Sequence, residues 1–219
     1  AVHYSSNRAN AERLVEEIRA QGGEALALQA DLGIAGAGTV LTEAAIGAMG
    51  GIDVLVNNAG AALARVAVDQ FDAALTQRIL QLNQLSVIES VRVALPHFRR
   101  QRRGVVITTT SIAARNGGGF GVPLYASAKG AIEALSRSLA RDEGQYGIRV
   151  NCVAPGYIDT PIHTVTSPEQ VQRYLDATPL ARAGVPQDCV GVFLFLACER
   201  LSGFITGQTI GVNGGMHLI

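Results

Sequence analysis

Apolar positions along this chain follow two periods in alternation. Short runs dense in Val, Ile and Leu, the mark of buried strands, occupy 1–5, 25–30, 52–57, 104–110, 148–154 and 209–212. Stretches between them place apolar residues three and four apart, the spacing of one helix face. The first, 7–21, carries Leu14, Val15 and Ile18 on that face, and Gly22-Gly23 ends it. Others cover 69–102, which Pro96 should disturb, then 124–146 and the apolar 186–199. Ser167-Pro168-Glu169-Gln170 reads as a helix start, with a capping hydroxyl, a proline at the first helical position and a Gln three after the cap. Strand and helix in alternation predict the α/β class: a doubly wound parallel sheet between two helical layers. No repeat or linker divides the 219 residues, so a single domain over 1–219 is expected.

In open parallel sheets, ligands gather beyond the carboxyl ends of the strands. The polar and Gly-rich segments of this chain fall there. Ser5 to Arg8 follows the first strand, Asp31-Leu32 the second and Asn57 to Gly60 the third. Ser111 follows the fourth, and Pro155 to Thr160 the fifth.

Charge narrows the partners. Eighteen basic and eighteen acidic residues cancel, which removes the electrostatic case for nucleic acid or an anionic membrane surface. The longest apolar run, near 192–198, is too short to span a bilayer. No secretory signal is visible in the first thirty residues, and Cys152, Cys189 and Cys198 lack CxxC spacing. A cytoplasmic protein with reduced, packed thiols and no metal site is expected. Of the eighteen cations, seventeen are Arg; the single lysine is Lys129.

That lysine lies in Tyr125-Ala126-Ser127-Ala128-Lys129. Residues four apart on a helix are neighbours on one face. A free phenol titrates near about 10, too high for easy proton transfer at neutral pH, and an adjacent ammonium favours the phenolate. A compact ammonium does this where a planar guanidinium would not fit as well. Ser111, at a strand end fourteen residues earlier, can polarise a carbonyl oxygen beside the tyrosine. Asn83 interrupts a helical stretch, where its propensity is poor, and so is expected to perturb the helix and hold a water behind the lysine.

At Asn57-Asn58-Ala59-Gly60, Asn83, Ser111, Tyr125, Lys129, Pro155-Gly156 and the terminal Ile205-Thr206-Gly207-Gln208 and Val212-Asn213-Gly214-Gly215, the chain resembles the short-chain dehydrogenase/reductase family. Within it, the likeness is to 3-oxoacyl-(acyl-carrier-protein) reductases and to sugar or alcohol dehydrogenases. The resemblance implies a Rossmann-like fold and hydride transfer between a nicotinamide and a substrate carbon. It implies Tyr125 as general acid or base, Lys129 as its tuner and ribose ligand, Ser111 as the substrate-oxygen donor and Asn83 as the relay anchor. Asp31 and Leu32 would hold the adenine; Asn58, Ala59 and Gly60 would line the adenosine side. Pro155, Gly156, Ile158 and Thr160 would fix the carboxamide. Ser5, Ser6 and Arg8 stand where NAD binders carry an acid, and hydroxyls with an Arg suit a 2′-phosphate, so NADP(H) is expected, with NAD(H) the alternative.

The chain also departs from that family. The family opens with a strand, a Gly-rich turn and a helix; this chain opens at what would be the second strand. Its Gly-rich run, Asn116 to Gly121, does not open a helix directly after a strand and is not the phosphate loop. The absent strand would stand centrally, between the first and third strands read here, and unpaired backbone there is unfavourable. About thirty further N-terminal residues, a βα unit, are therefore expected in the natural protein.

Three functions stay open: reduction of a 3-oxoacyl thioester, a sugar, polyol or steroid dehydrogenase activity, or a non-catalytic scaffold. The segment from Tyr157 to the helix after Ser167 would form a lid, in which His163 reads as a loop histidine. Arg99, Arg100, Arg102 and Arg103 end a helix, where cations suit the dipole, and they could also dock an acidic carrier protein. The apolar helix near 190–198 and the strand after it suggest an interface within a homotetramer.

Overall fold

A computed structural model describes residues 1–161 and 166–218. His163 lies outside them. The elements run β1 (Val2–Tyr4), α1 (Arg8–Ala20), β2 (Ala27–Gln29), α2 (Ala37–Met49), β3 (Val54–Asn57), α3 (Ala73–Leu80), α4 (Ser86–Gln101) and β4 (Gly104–Thr109). Then follow α5 (Ala113–Asn116), α6 (Pro123–Glu143), β5 (Ile148–Pro155), α7 (Pro168–Asp176), α8 (Pro186–Ala197), α9 (Glu199–Ser202) and β6 (Thr209–Val212).

Among the described residues every strand pair is parallel. The strands form two sheets, β1–β2 and β3–β4–β5–β6. Among the described residues no strand pairs with both β1 and β3, which is where the sequence lacks a central strand. The larger sheet is covered on both faces, and the alternation along its central strands shows how. Val106, Ile148 and Val150 pack with Val87, Val91 and Phe98 of α4 and Ile132 of α6. Their neighbours Val105, Ile107 and Val153 pack with Leu196 of α8 and with Ile210. A strand of period two thus feeds two apolar cores, and the result is the three-layer, Rossmann-like α/β fold that the pattern predicts. No helix among the described residues is long and apolar enough to cross a membrane.

Two elements differ from expectation. The stretch 69–102 is not one helix. A 3₁₀ turn (Val68–Gln70) precedes α3, and a π turn at Gln81–Leu85 separates α3 from α4. Pro96 sits inside α4 without ending it, so the disturbance falls at Asn83 rather than at the proline. The second difference is α2, which the apolar pattern does not announce. Its N-cap, Gly36, has φ +83° and no side chain to cap with. The carboxylate of Glu89 on α4 does this instead, accepting from the amides of Gly36 and Gly38 at 2.9 Å each, while Gln81 Nε2 donates to it at 3.0 Å. Gly38 lets the helices meet, since a Cβ there would stand 2.6 Å from the Ser86 carbonyl oxygen.

Candidate active site

The carboxyl ends of β3, β4 and β5 open onto a cleft of ≈ 900 Å³ that is closed on one side by the first turns of α6. This is the end of a parallel sheet at which ligands are expected. Ser111 lies just past β4, and Tyr125 and Lys129 lie one turn apart on α6; all three line the cleft. Pro123 at the helix start fixes where this turn begins.

The Ser111 hydroxyl, which accepts from the Ala113 amide at 3.1 Å, faces Tyr125 closely enough to favour ionisation of its phenol. Lys129 Nζ stands 5.7 Å from the Tyr125 ring centre and donates to the Thr109 carbonyl oxygen at 2.8 Å. Electrostatics differ from the sequence expectation. Burial holds the Tyr125 phenol above its ordinary value, opposed only in part by Ser111. Burial also pulls Lys129 down to about 8, with a smaller opposing contribution from Cys152. Desolvation penalises whichever form is charged, and in this wall it outweighs the ammonium's attraction for a phenolate. At neutral pH the tyrosine therefore keeps its proton, as a proton donor requires.

Behind the lysine, Asn83 is fully buried. Its Nδ2 donates to the carbonyls of Ala61 (2.8 Å) and Ile79 (2.9 Å), and its Oδ1 accepts from the Ala61 amide at 3.0 Å. It pins the loop after β3 through the π turn, at a position where an α-helix would be regular. Gly60 sits between them: an added Cβ would lie 2.8 Å from both Asn83 Oδ1 and Lys129 Nζ.

Asn58, Gly60, Pro155, Gly156, Ile158 and Thr160 also line the cleft. Ser5, Ser6, Arg8, Asp31, Leu32 and Ala59 are not part of its lining. Ser5 and Ser6 are exposed between β1 and α1. Arg8 is exposed as well and pairs with Glu12 at 2.6 Å. Asp31 bonds Arg78 (2.7 Å) and the Gly33 amide (2.9 Å), which hold its carboxyl below the ordinary range, and Leu32 is buried.

A family model described as enoyl-(acyl carrier protein) reductase matches residues 1–217. The chain belongs to the short-chain dehydrogenase/reductase family. A 3-oxoacyl-(acyl-carrier-protein) reductase of Staphylococcus aureus is 35% identical over 222 residues, covering all of this chain and 87% of that protein. A 7alpha-hydroxysteroid dehydrogenase of Escherichia coli is 36% identical over 208 residues, covering 94% of this chain and 79% of that one. Among solved structures, an NADH-dependent reductase responsible for alginate metabolism superposes with a TM-score of 0.90 at 32% identity, covering all of this chain and 86% of its own.

This short-chain dehydrogenase/reductase has site features that sequence reasoning passed over. Glu133, buried on α6 four residues after Lys129, accepts from Thr110 Oγ1 at 3.0 Å and so steadies the cleft-lining end of β4. Its i+4 spacing from Lys129 was the available signal. Arg65, in the loop after β3, and Tyr174, on α7, line the cleft too. They lie in unpatterned or amphipathic sequence, and only the fold brings them in.

Proposed function

We propose that this chain interconverts a ketone and a secondary alcohol with NADP(H), and that its substrate is a 3-oxoacyl thioester. The single observation that carries the reading is the Ser111–Tyr125–Lys129 group on one wall of a cleft at the carboxyl ends of the parallel strands. The cleft suits a dinucleotide: it is lined by the residues at the strand ends, it presents an ammonium for sugar hydroxyls, and a side chain at Gly60 would push against that ammonium and Asn83. Lys129 would hold the nicotinamide ribose, and Pro155, Gly156, Ile158 and Thr160 the carboxamide. Asn58, Ala59 and Gly60 would line the adenosine side, Asp31 and Leu32 the adenine, and Ser5, Ser6 and Arg8 a 2′-phosphate. When bound, the nicotinamide supplies or accepts the hydride.

The protein's own residues manage the oxygen and its proton. Ser111 donates a hydrogen bond to the substrate carbonyl, aligning it and taking up charge as it develops on oxygen. Tyr125 gives its phenolic proton to that oxygen during reduction and takes it back during oxidation. The Lys129 ammonium sits near enough to favour the transient phenolate. Asn83 keeps the loop against which the lysine rests.

A carrier protein for the acyl group would be acidic and would meet Arg100 and Arg102, since Arg99 and Arg103 are engaged with Glu143 and Asp53. The enzyme would be a cytoplasmic homotetramer, joined through the apolar surface that ends in fully exposed Phe204. Light scattering that returned a monomer mass would reject the tetramer. A steroid, sugar or polyol substrate is the second reading, favoured by the 36% identity to the hydroxysteroid dehydrogenase.

Loss of NADPH absorbance with acetoacetyl thioester, set against sugars and oxosteroids, tests these readings. Tyr125→Phe should lower kcat by about 10²–10⁴-fold. Turnover by that variant at the wild-type rate would reject the catalytic assignment of Tyr125, and no turnover by wild type on any of these substrates would leave the scaffold reading.

A further inference from the structure

One part of the cleft lining plays no part in the chemistry at Tyr125. The loop after β3 carries Arg65 to the region where the glycine-rich segment 117–121 meets α7. Arg65 Nη1 donates to the Phe120 carbonyl at 3.0 Å. Nη2 lies 3.3 Å from the Tyr174 hydroxyl and 3.4 Å from Thr166 Oγ1. Nε is buried without a hydrogen-bond partner. Backbone packing holds the side chain's base in place. The Val66 amide donates to the Gly121 carbonyl at 3.0 Å, and Gly121, at φ +79°, approaches so closely that a Cβ would stand 2.8–2.9 Å from Val66 N and Arg65 C. At Gly119 a Cβ would stand 2.6 Å from the Tyr174 hydroxyl. The glycines thus let a loop, a guanidinium and a tyrosine close on one another.

The charge balance of the cleft is one-sided. Among the described residues, Arg65 and Lys129 are its ionised side chains, and no Asp or Glu lines it. In the sequence, 162–165 are Ile-His-Thr-Val, with no carboxylate. Arg65 bonds a carbonyl and two hydroxyls, all neutral. A half-buried guanidinium surrounded by neutral acceptors keeps its full charge uncompensated and has an unused donor. Its planar fork is shaped for an anionic oxygen pair, and pairing there would offset the cost of partial desolvation.

We propose that Arg65 binds an anionic group of the substrate. The compound handled at Tyr125 is then a ketone or alcohol that also bears a carboxylate, or a phosphate on its carrier arm, remote from the reacting carbon. This names the substrate class of the oxidoreductase reading above and rests on it. Arg65 acts in specificity: it touches the substrate's anion and takes no part in hydride or proton transfer.

The test is steady-state kinetics on the whole chain with NADPH and with NADH. Substrates are oxo-carboxylates with the ketone at increasing distance from the carboxylate, each beside its methyl ester, and acetoacetyl-CoA beside acetoacetyl-N-acetylcysteamine, which lacks the phosphates. Wild type should prefer at least one charged member over its neutral twin by about tenfold in kcat/KM. Arg65→Gln should abolish that preference, mainly through KM, and change the neutral twin by less than about threefold. Arg65→Lys should restore part of it. Loss confined to acetoacetyl-CoA would identify the phosphate as the anion. Equal loss on charged and neutral members would make Arg65 a strut for the glycine-rich loop and overturn the proposal, as would a wild type indifferent to the charge. No turnover of any member with either cofactor would instead overturn the reading beneath it.

Discussion

Lys129 is a charged group held where charge is disfavoured. Its pKa stands at about 8 because burial strips the ammonium of water, with one carbonyl, that of Thr109, as its hydrogen-bond partner in return. On the proposed mechanism the lysine serves the chemistry at a cost in stability, so Lys129→Met should remove turnover and yet raise stability at pH 7 by about 1–2 kcal/mol. Linkage gives the pH window. The folded value of about 8 lies below the ordinary 10.5, so between them the unfolded chain binds more protons and wild type gains stability as pH rises. The advantage of the variant should therefore be complete below pH 8 and shrink towards 10.5, as read from paired urea titrations. A constant gap across that range would mean the lysine is not the titrating group. The i, i+4 spacing made this pair legible in the sequence. The balance of its electrostatics was not, because desolvation depends on what the fold packs around Tyr125.

At the scale of single elements, Glu89 decides whether α2 forms. The helix begins on a glycine in the left-handed region, with no capping side chain of its own, and two of its orphan amides are answered by a carboxylate on α4. Glu89→Ala should cost about 1–3 kcal/mol, read as a lower urea midpoint, with Tyr125 chemistry left in place. An unchanged midpoint would mean solvent replaces the carboxylate at no cost. The same contact explains what could be read from the chain. Strands β4 and β5 are β-branched runs packed on both faces, and their pattern carries the whole signal. Helix α2 is rich in Ala and Gly, and its start signal sits 53 residues away. Within 69–102 the poor helix propensity of Asn83 was legible but the form of the break was not: Asn83 satisfies its side chain through Ala61, so the π turn is a tertiary event written at one residue. Arg65 was hidden likewise, since nothing in its own loop says which cavity it will face.

For the molecule as a whole, the two parallel sheets stand on unequal foundations. Val150 to Val153 are wholly buried and laddered to β4, and Cys152 and Val153 to β6 as well. Val2 to Tyr4 are part-exposed and ladder only to β2. Protection from exchange follows how many neighbours must let go before an amide meets water. In deuterium oxide, the amides of Val2 to Tyr4 should exchange at least about a hundredfold faster than those of Val150 to Val153. Comparable rates at both ends would show them opening together as one cooperative unit. On the expected result, the protein has a slow-exchanging half that carries the chemistry and a looser half bearing Ser5, Ser6 and Arg8. A dinucleotide long enough to reach both would then leave its mark first in the loose half, as slowed exchange far from the reacting carbon.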